Sequence, residues 1–179
     1  MMDAAALARV AIVAAITELS SFAAQTETLA EYRPAHRTLL IPRRARFVTR
    51  GPVWRLGVLL LAADGALFAT GSVTRARDPK HPNYTSVSGE ERRELREAAS
   101  RAGFGMRDTV NFDAKPLPFD ETLGTVGPLL VRSGDHGDEL TVSWNGSRTA
   151  DSLRPFAGYL WERVELAARP PDGAGETAR

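Results

Sequence analysis

The apolar positions of this chain change period along its length, and the changes mark its elements. From residue 4 to about 24, Leu7, Val10, Ala11, Ala14, Ala15, Glu18, Leu19, Phe22 and Ala23 approximate the i, i+3, i+4, i+7 spacing of one helical face. Asp3 stands just ahead of them as a candidate N-cap. The spacing predicts a helix over 4–24, with room to continue to 31 before Pro34 ends it, because proline lacks the N–H and clashes with the preceding turn. Beyond Pro34 the pattern turns to β type in "TLLI" and "RARFVTR" and in the long run from Val53 to Arg75.

That run reads as two apolar strands joined at Asp64-Gly65, a pair suited to the positive φ of a tight hairpin turn. With Ala63 opposite Ala66, the two-residue period puts Trp54, Leu56, Val58, Leu60, Leu67, Ala69 and Val73 on a core face. The other face would carry Arg55, Leu59, Leu61, Phe68, Thr70, Ser72 and Thr74. Ser88-Gly89-Glu90-Glu91 then has the form of a capping box, and Gly103 that of a helix stop. Between them the apolar stripe is thin, consisting of Leu95, Ala98, Ala99 and Ala102, which predicts a largely solvated helix.

"MRDTVNFDA", "GPLLVR" and "ELTVSW" read as further strands, with "KPLPFDETLG" as an irregular connector and Asn145-Gly146 as a turn. A last helix is expected from about 152 to 168, with Leu153, Phe156, Ala157, Leu160, Trp161 and Val164 inward and Pro155 in its first turn. Residues 172–179 read as a disordered tail. Strands on both sides of a helix, without regular β-α-β alternation, predict an α+β fold with a largely antiparallel sheet and flanking terminal helices. A single domain over 1–171, with its β-rich body at 38–146, is expected of 179 residues.

Composition narrows the chemistry more than it names a function. The chain has no cysteine, which removes disulfides, thiolate metal sites and cysteine nucleophiles and leads to the expectation of a cytoplasmic protein. Asp3 and Arg9 interrupt the N-terminal apolar stretch, so neither a signal peptide nor a membrane span is expected there. His36, His81 and His136 lie far apart, the acidic turn "SGDHGDE" lacks EF-hand spacing, and "GFGMRD" is neither a Walker loop nor a dinucleotide fingerprint. No metal or cofactor is expected. Neither G-x-S-x-G nor S-x-x-K occurs. Asp108, Asp113, Asp120 and Glu121 surround a proline-containing segment, where carboxylates order loops through backbone amides more often than they transfer protons.

One segment is unbalanced in charge. Residues 36–55 hold six arginines and no carboxylate, and Arg33 makes seven, leaving 16 basic and 22 acidic residues elsewhere in a chain of net charge +1. As a strand, "RRARFVTR" places Arg44, Arg46, Val48 and Arg50 on one face and Ala45, Phe47 and Thr49 on the other, with Arg44 and Arg46 about 6.6 Å apart. Arg43, Arg44, Arg46, Arg50 and Arg55 are therefore the candidate anion-binding residues. The acidic remainder favours a second expectation, ion pairing with carboxylates such as Glu90, Glu94 and Glu97. Few aromatic residues lie nearby for base stacking, so nucleic acid is not the expected partner.

Taken together, "VWRLGVLLLAADGALFATGSVTRA", "YTSVSGEERRELREAA", "TVNFDAKPLP" and "YLWERVELA" resemble a group of short actinobacterial proteins sometimes labelled glutaminase. The resemblance implies an amide hydrolase. Serine-dependent glutaminases use a larger fold with a serine-lysine pair, and amidotransferase types use a cysteine, so no catalytic residue carries over to this chain. The residues favour a non-catalytic binding or accessory protein, with a homo-oligomer or an acidic protein as partner. The alternatives are the amide hydrolase and an anion- or nucleic-acid-binding role for Arg33–Arg55.

Overall fold

The computed structural model describes residues 3–38, 41–75, 87–105, 108–120, 122–134 and 137–171. The order of elements is α1 (Ala4–Ser21), β1 (Glu27–Arg33), β2 (His36–Thr38), β3 (Ile41–Arg43), β4 (Arg46–Leu56), β5 (Leu59–Ala62), β6 (Leu67–Ala69), β7 (Ser72–Arg75), α2 (Val87–Arg101), β8 (Thr109–Phe112), β9 (Lys115–Pro116), β10 (Leu129–Gly134), β11 (Gly137–Ser143), β12 (Leu153–Pro155) and α3 (Phe156–Ala168). The fold is α+β. Its main sheet has the order β7-β8-β1-β4-β5-β6-β9, a second has β10-β11-β12, and β2 and β3 form a small ribbon. The registered pairs are antiparallel except β1 with β8. The chain divides into two compact units, one of residues 1–26, 54–69 and 115–179 and the other of 27–53 and 70–114.

In the first unit α1 buries Ala4, Ala8, Ile12, Ala15 and Leu19 in a core shared with Phe156, Tyr159, Leu160 and Val164 of α3. The alanines allow close helix approach. The predicted face of α1 is therefore rotated: its Leu7, Val10 and Phe22 stand outside, at 52%, 59% and 46% exposure. A helix apolar on nearly all sides has no unique inward stripe, and only its packing partners select one. By length and composition α1 also suffices to cross a membrane.

The helix stops at Ser21 and does not continue to 31. Ala23 takes φ +48° and donates its N–H to Ser20 O, while Ala24 donates to Leu19 O, a Schellman-type ending made without glycine. Trp54 Nε1 donates to Ala24 O at 3.2 Å and fixes the exit of the chain.

The apolar run from Val53 to Arg75 forms parts of four strands where two were expected. Gly57-Val58 reverses the chain between β4 and β5, and a three-residue loop at Ala63–Gly65 reverses it again into β6. Ala62, not Ala63, faces Ala66, with Ala62 N–H donating to Ala66 O at 2.9 Å and Asp64 Oδ1 accepting from Ala66 N–H at 2.9 Å. Leu59 pairs with Ala69 and Leu61 with Leu67, so both join Trp54, Leu56, Leu67 and Ala69 in the core. Val73, expected inside, is 46% exposed, and Thr74 is buried instead. At the C-terminus α3 begins at Phe156, not near 152, with Pro155 as its N-cap. Tyr159 takes the inward place expected for Trp161, which is 44% exposed.

In the second unit α2 lies over one face of β8, β1 and the first half of β4. Ala98 and Ala99 pack with Ala30, Ala45, Phe47, Val110 and Phe112, and Leu95 and Phe104 border them. The expected thin stripe is thus the packing stripe, although Ala102 is exposed. Ser88 lies within the helix, which begins at Val87, so it is not the N-cap. Gly103, at φ +84°, ends the helix as expected, with Gly103 N–H to Ser100 O and Phe104 N–H to Ala99 O. The expected tail at 172–179 falls outside the described residues.

Candidate functional site

The arginine segment is organised by the pairing of β1 with β4. Tyr32 faces Phe47, Glu31 faces Val48 and Arg33 faces Arg46. The two-residue period sends Ala45, Phe47, Ala30 and Tyr32 toward α2, where the Tyr32 and Phe47 ring centroids stand 5.1 Å apart. Arg46, Val48, Glu31 and Arg33 consequently lie on the opposite face. Two like charges directly opposite one another repel, which an isolated sheet face would avoid.

One carboxylate relieves part of this repulsion. Glu31 Oε1 accepts from Arg33 Nε at 3.1 Å, and Glu31 Oε2 pairs with Arg50. The hydrogen bond from Arg33, then that from Arg50, holds the Glu31 carboxyl below its ordinary value. Arg50 can reach it because the register shifts between Leu29 and Ala30: Leu29 faces Gly51 and Ala30 faces Thr49, leaving Arg50 as the extra residue of a β-bulge. Arg43 stands opposite His36 in the β2–β3 ribbon. Among the described residues, Arg43, Arg44 and Arg46 are exposed and their side chains make no ion pair or hydrogen bond.

Of the predicted site residues, Arg46 and Arg50 lie in β4 with Arg33 in the adjacent β1, whereas Arg43 ends β3 and Arg44 lies in the link before β4, so the expected single strand over 43–50 is interrupted and Arg50 sits at the bulge. Arg55 belongs to the other unit, is half-buried and has a partner of its own. The expected pairing with Glu90, Glu94 and Glu97 is not what offsets the strand arginines. Glu97 pairs within its own helix, with Arg93 at 3.7 Å and Arg101 at 3.5 Å. The reason is geometric: α2 covers the Ala45/Phe47 face, and the alternation that buries Phe47 turns Arg46 away from it. Glu31, at the far limit that the sequence leaves open for the N-terminal helix, belongs instead to β1. The alternation Glu31-Tyr32-Arg33 was the available signal.

The other candidates fall into structural roles or outside the described residues. Asp120 Oδ1 accepts from Thr122 Oγ1 at 2.6 Å and Thr122 N–H at 2.8 Å, and these bonds hold its carboxyl below the ordinary value. Asp108 accepts from Gly105 N–H at 2.7 Å, and Asp113 occupies a positive-φ turn. Asp108 and Asp120 thus order loops through backbone amides. Glu121, Asp135, His81 and His136 lie outside the described residues, while His36 Nδ1 lies 3.2 Å from Pro34 O. Among the described residues no group of three His, Asp or Glu side chains stands close enough to hold a metal.

A second cluster, which no sequence motif signalled, lies in the first unit beside the Gly57-Val58 turn and joins Trp144, Arg154, Tyr159 and Arg163. No family model matches the chain, and no curated protein or solved structure matches it either.

Proposed function

We propose that this chain is a non-catalytic binding protein that docks an acidic protein segment on the β1–β4 face. The observation that carries this reading is the charge imbalance of that face. Arg33 and Arg50 share Glu31, while the neighbouring Arg43, Arg44 and Arg46 have no counter-charge among the described residues. An extended acidic segment supplies the complement, because its carboxylates at alternate positions recur about every 6.6 Å and can follow the arginines that run from the end of β3 through the link at 44–45 into β4. Nucleic acid fits less well. Tyr32 and Phe47 turn toward α2, and Trp54 of β4 is buried, so these rings offer no surface for base stacking.

The test is fluorescence anisotropy with a labelled peptide of alternating glutamate and serine, beside a DNA duplex and a single-stranded RNA of matched charge. The peptide is expected to bind, to weaken with salt, and to lose binding in Arg44→Ala/Arg46→Ala. No binding of the peptide, or equal binding by that variant, overturns the proposal. Sub-micromolar duplex binding whose log affinity falls with log salt at a slope of roughly −3.6, as four phosphate contacts require, also overturns it. The same preparation is expected to release no ammonia from glutamine, since no activated nucleophile is apparent in the sequence. Turnover abolished by mutating one of the chain's own residues would show an enzyme.

A further inference from the structure

The cluster beside the Gly57-Val58 turn has the makings of a ligand site separate from the arginine face. Tyr159 Oη accepts from Val58 N–H at 3.0 Å and donates to Leu56 O at 3.4 Å, so α3 and the turn hold each other in place. Gly57 makes this possible, since any Cβ there would fall inside contact with the Tyr159 hydroxyl. The result is a pre-formed floor.

Above it stands Arg163, one helical turn beyond Tyr159, with its guanidinium carbon 5.5 Å from the Tyr159 ring centroid. One of its terminal nitrogens reaches Glu162 Oε1 at 2.7 Å, but Arg163 Nε is buried with no hydrogen-bond partner. It is the one such side-chain atom among the described residues. The bond to Glu162 and the contact with the Tyr159 ring hold this guanidinium in place beside the turn. On the sheet side, Arg154 of β12 pairs with Val142 of β11, and Trp144, just past the end of β11, lines the same pocket as Arg154. Trp144 is 48% exposed although its backbone N–H is held by Ser152 O at 3.3 Å, so a large apolar ring is presented from an anchored position.

These residues line a pocket of about 340 Å³, near the lower end of the range for small-molecule sites. Two arginines and Glu162 leave an excess of one positive charge. Guanidinium groups match planar carboxylates through paired N–H donors, and the Trp144 and Tyr159 rings match a flat apolar body. We infer that this pocket binds a small aromatic carboxylate, with Arg154 and Arg163 holding its anionic group and Trp144 covering its ring.

The experiment follows the indole N–H of Trp144 in a 15N-labelled full chain, assigned by its disappearance in Trp144→Phe. Benzoate is the probe, benzamide its uncharged counterpart, and inorganic phosphate a control for generic anion binding. Benzoate is expected to shift the resonance saturably, and benzamide and phosphate at the same concentration to leave it in place. Arg154→Gln, at an exposed position that the core does not need, is expected to weaken benzoate binding about tenfold or more. Arg163→Lys keeps the charge but not the planar fork and is expected to weaken it as well. No saturable shift, equal shifts from benzoate and benzamide, an equal response to phosphate, or unchanged affinity in Arg154→Gln overturns the assignment.

Discussion

The contact between Gly57 and Tyr159 allows the packing of α3 against the β4–β5 turn to be tested by a double-mutant cycle. Gly57 has φ +66°, a conformation in which alanine costs about 1–2 kcal/mol. The added Cβ also falls inside contact with Tyr159 Oη and lies 3.2 Å from Tyr159 Cζ and 3.3 Å from Arg163 Cδ. Displacing the ring to relieve that overlap adds about 1–3 kcal/mol, so Gly57→Ala should cost about 2–5 kcal/mol in total. Tyr159→Phe removes the acceptor of the Val58 N–H, a part-buried bond, at about 1–3 kcal/mol. In the double variant the oxygen that meets the new methyl group is gone. The combined cost should therefore fall short of the sum of the two single costs by about 1–3 kcal/mol, whereas independent sites add to within about 0.5 kcal/mol. Urea unfolding followed by circular dichroism measures all four proteins, with a common m-value required for the comparison. Additive costs, or a Gly57→Ala cost below about 1 kcal/mol, would refute the packing argument.

Two further predictions rest on local geometry. Ala23→Gly should raise stability by about 0.5–1 kcal/mol in the same urea assay, because alanine holds φ +48° at the end of α1 and glycine adopts it without strain; a loss of stability would contradict this. The Asp120 carboxyl should titrate by NMR below its ordinary 3.8, with Thr122→Ala moving it back toward that value through loss of the hydroxyl bond. Since the folded pKa is the lower one, whatever stability Asp120 contributes is present above 3.8 and is lost as pH falls through the folded value. An unchanged Asp120 titration in Thr122→Ala would refute the cause given.

Much of the architecture was legible because period and turn chemistry are local properties. The β10–β11 hairpin, β8, the Leu95/Ala98/Ala99 stripe of α2, its glycine stop and the Asn145-Gly146 turn all follow from residues within a few positions of one another. The grouping of Ala45 with Phe47 on one face was equally local, although Thr49, grouped with them by the same alternation, is exposed next to the bulge. The same alternation already implied that Arg46 faces away from whatever covers Phe47, although it could not say that the cover is α2. The longer apolar runs were less legible. Nothing within "VWRLGVLLLAADGALFATGS" distinguishes one long strand from two short ones, since Gly57 fits either a strand interior or a reversal.

Sequence by itself determined the α+β class, the absence of cysteine chemistry, the position of most turns and the surplus of arginine between residues 33 and 55. Tertiary structure decided which face of α1 is buried, because only its packing partners, α3 and β11 among them, distinguish Ala8, Ile12 and Leu19 from Leu7, Val10 and Val13. It also decided that Glu31 pairs with Arg33 and Arg50, since that pairing depends on a one-residue bulge in the β1–β4 register. The cluster of Trp144, Arg154, Tyr159 and Arg163 likewise exists only because β11, β12 and α3 meet at the Gly57-Val58 turn, about a hundred residues away along the chain. Short-range spacing is set by the backbone's own periods, whereas register and the proximity of distant segments are set by which surfaces pack together.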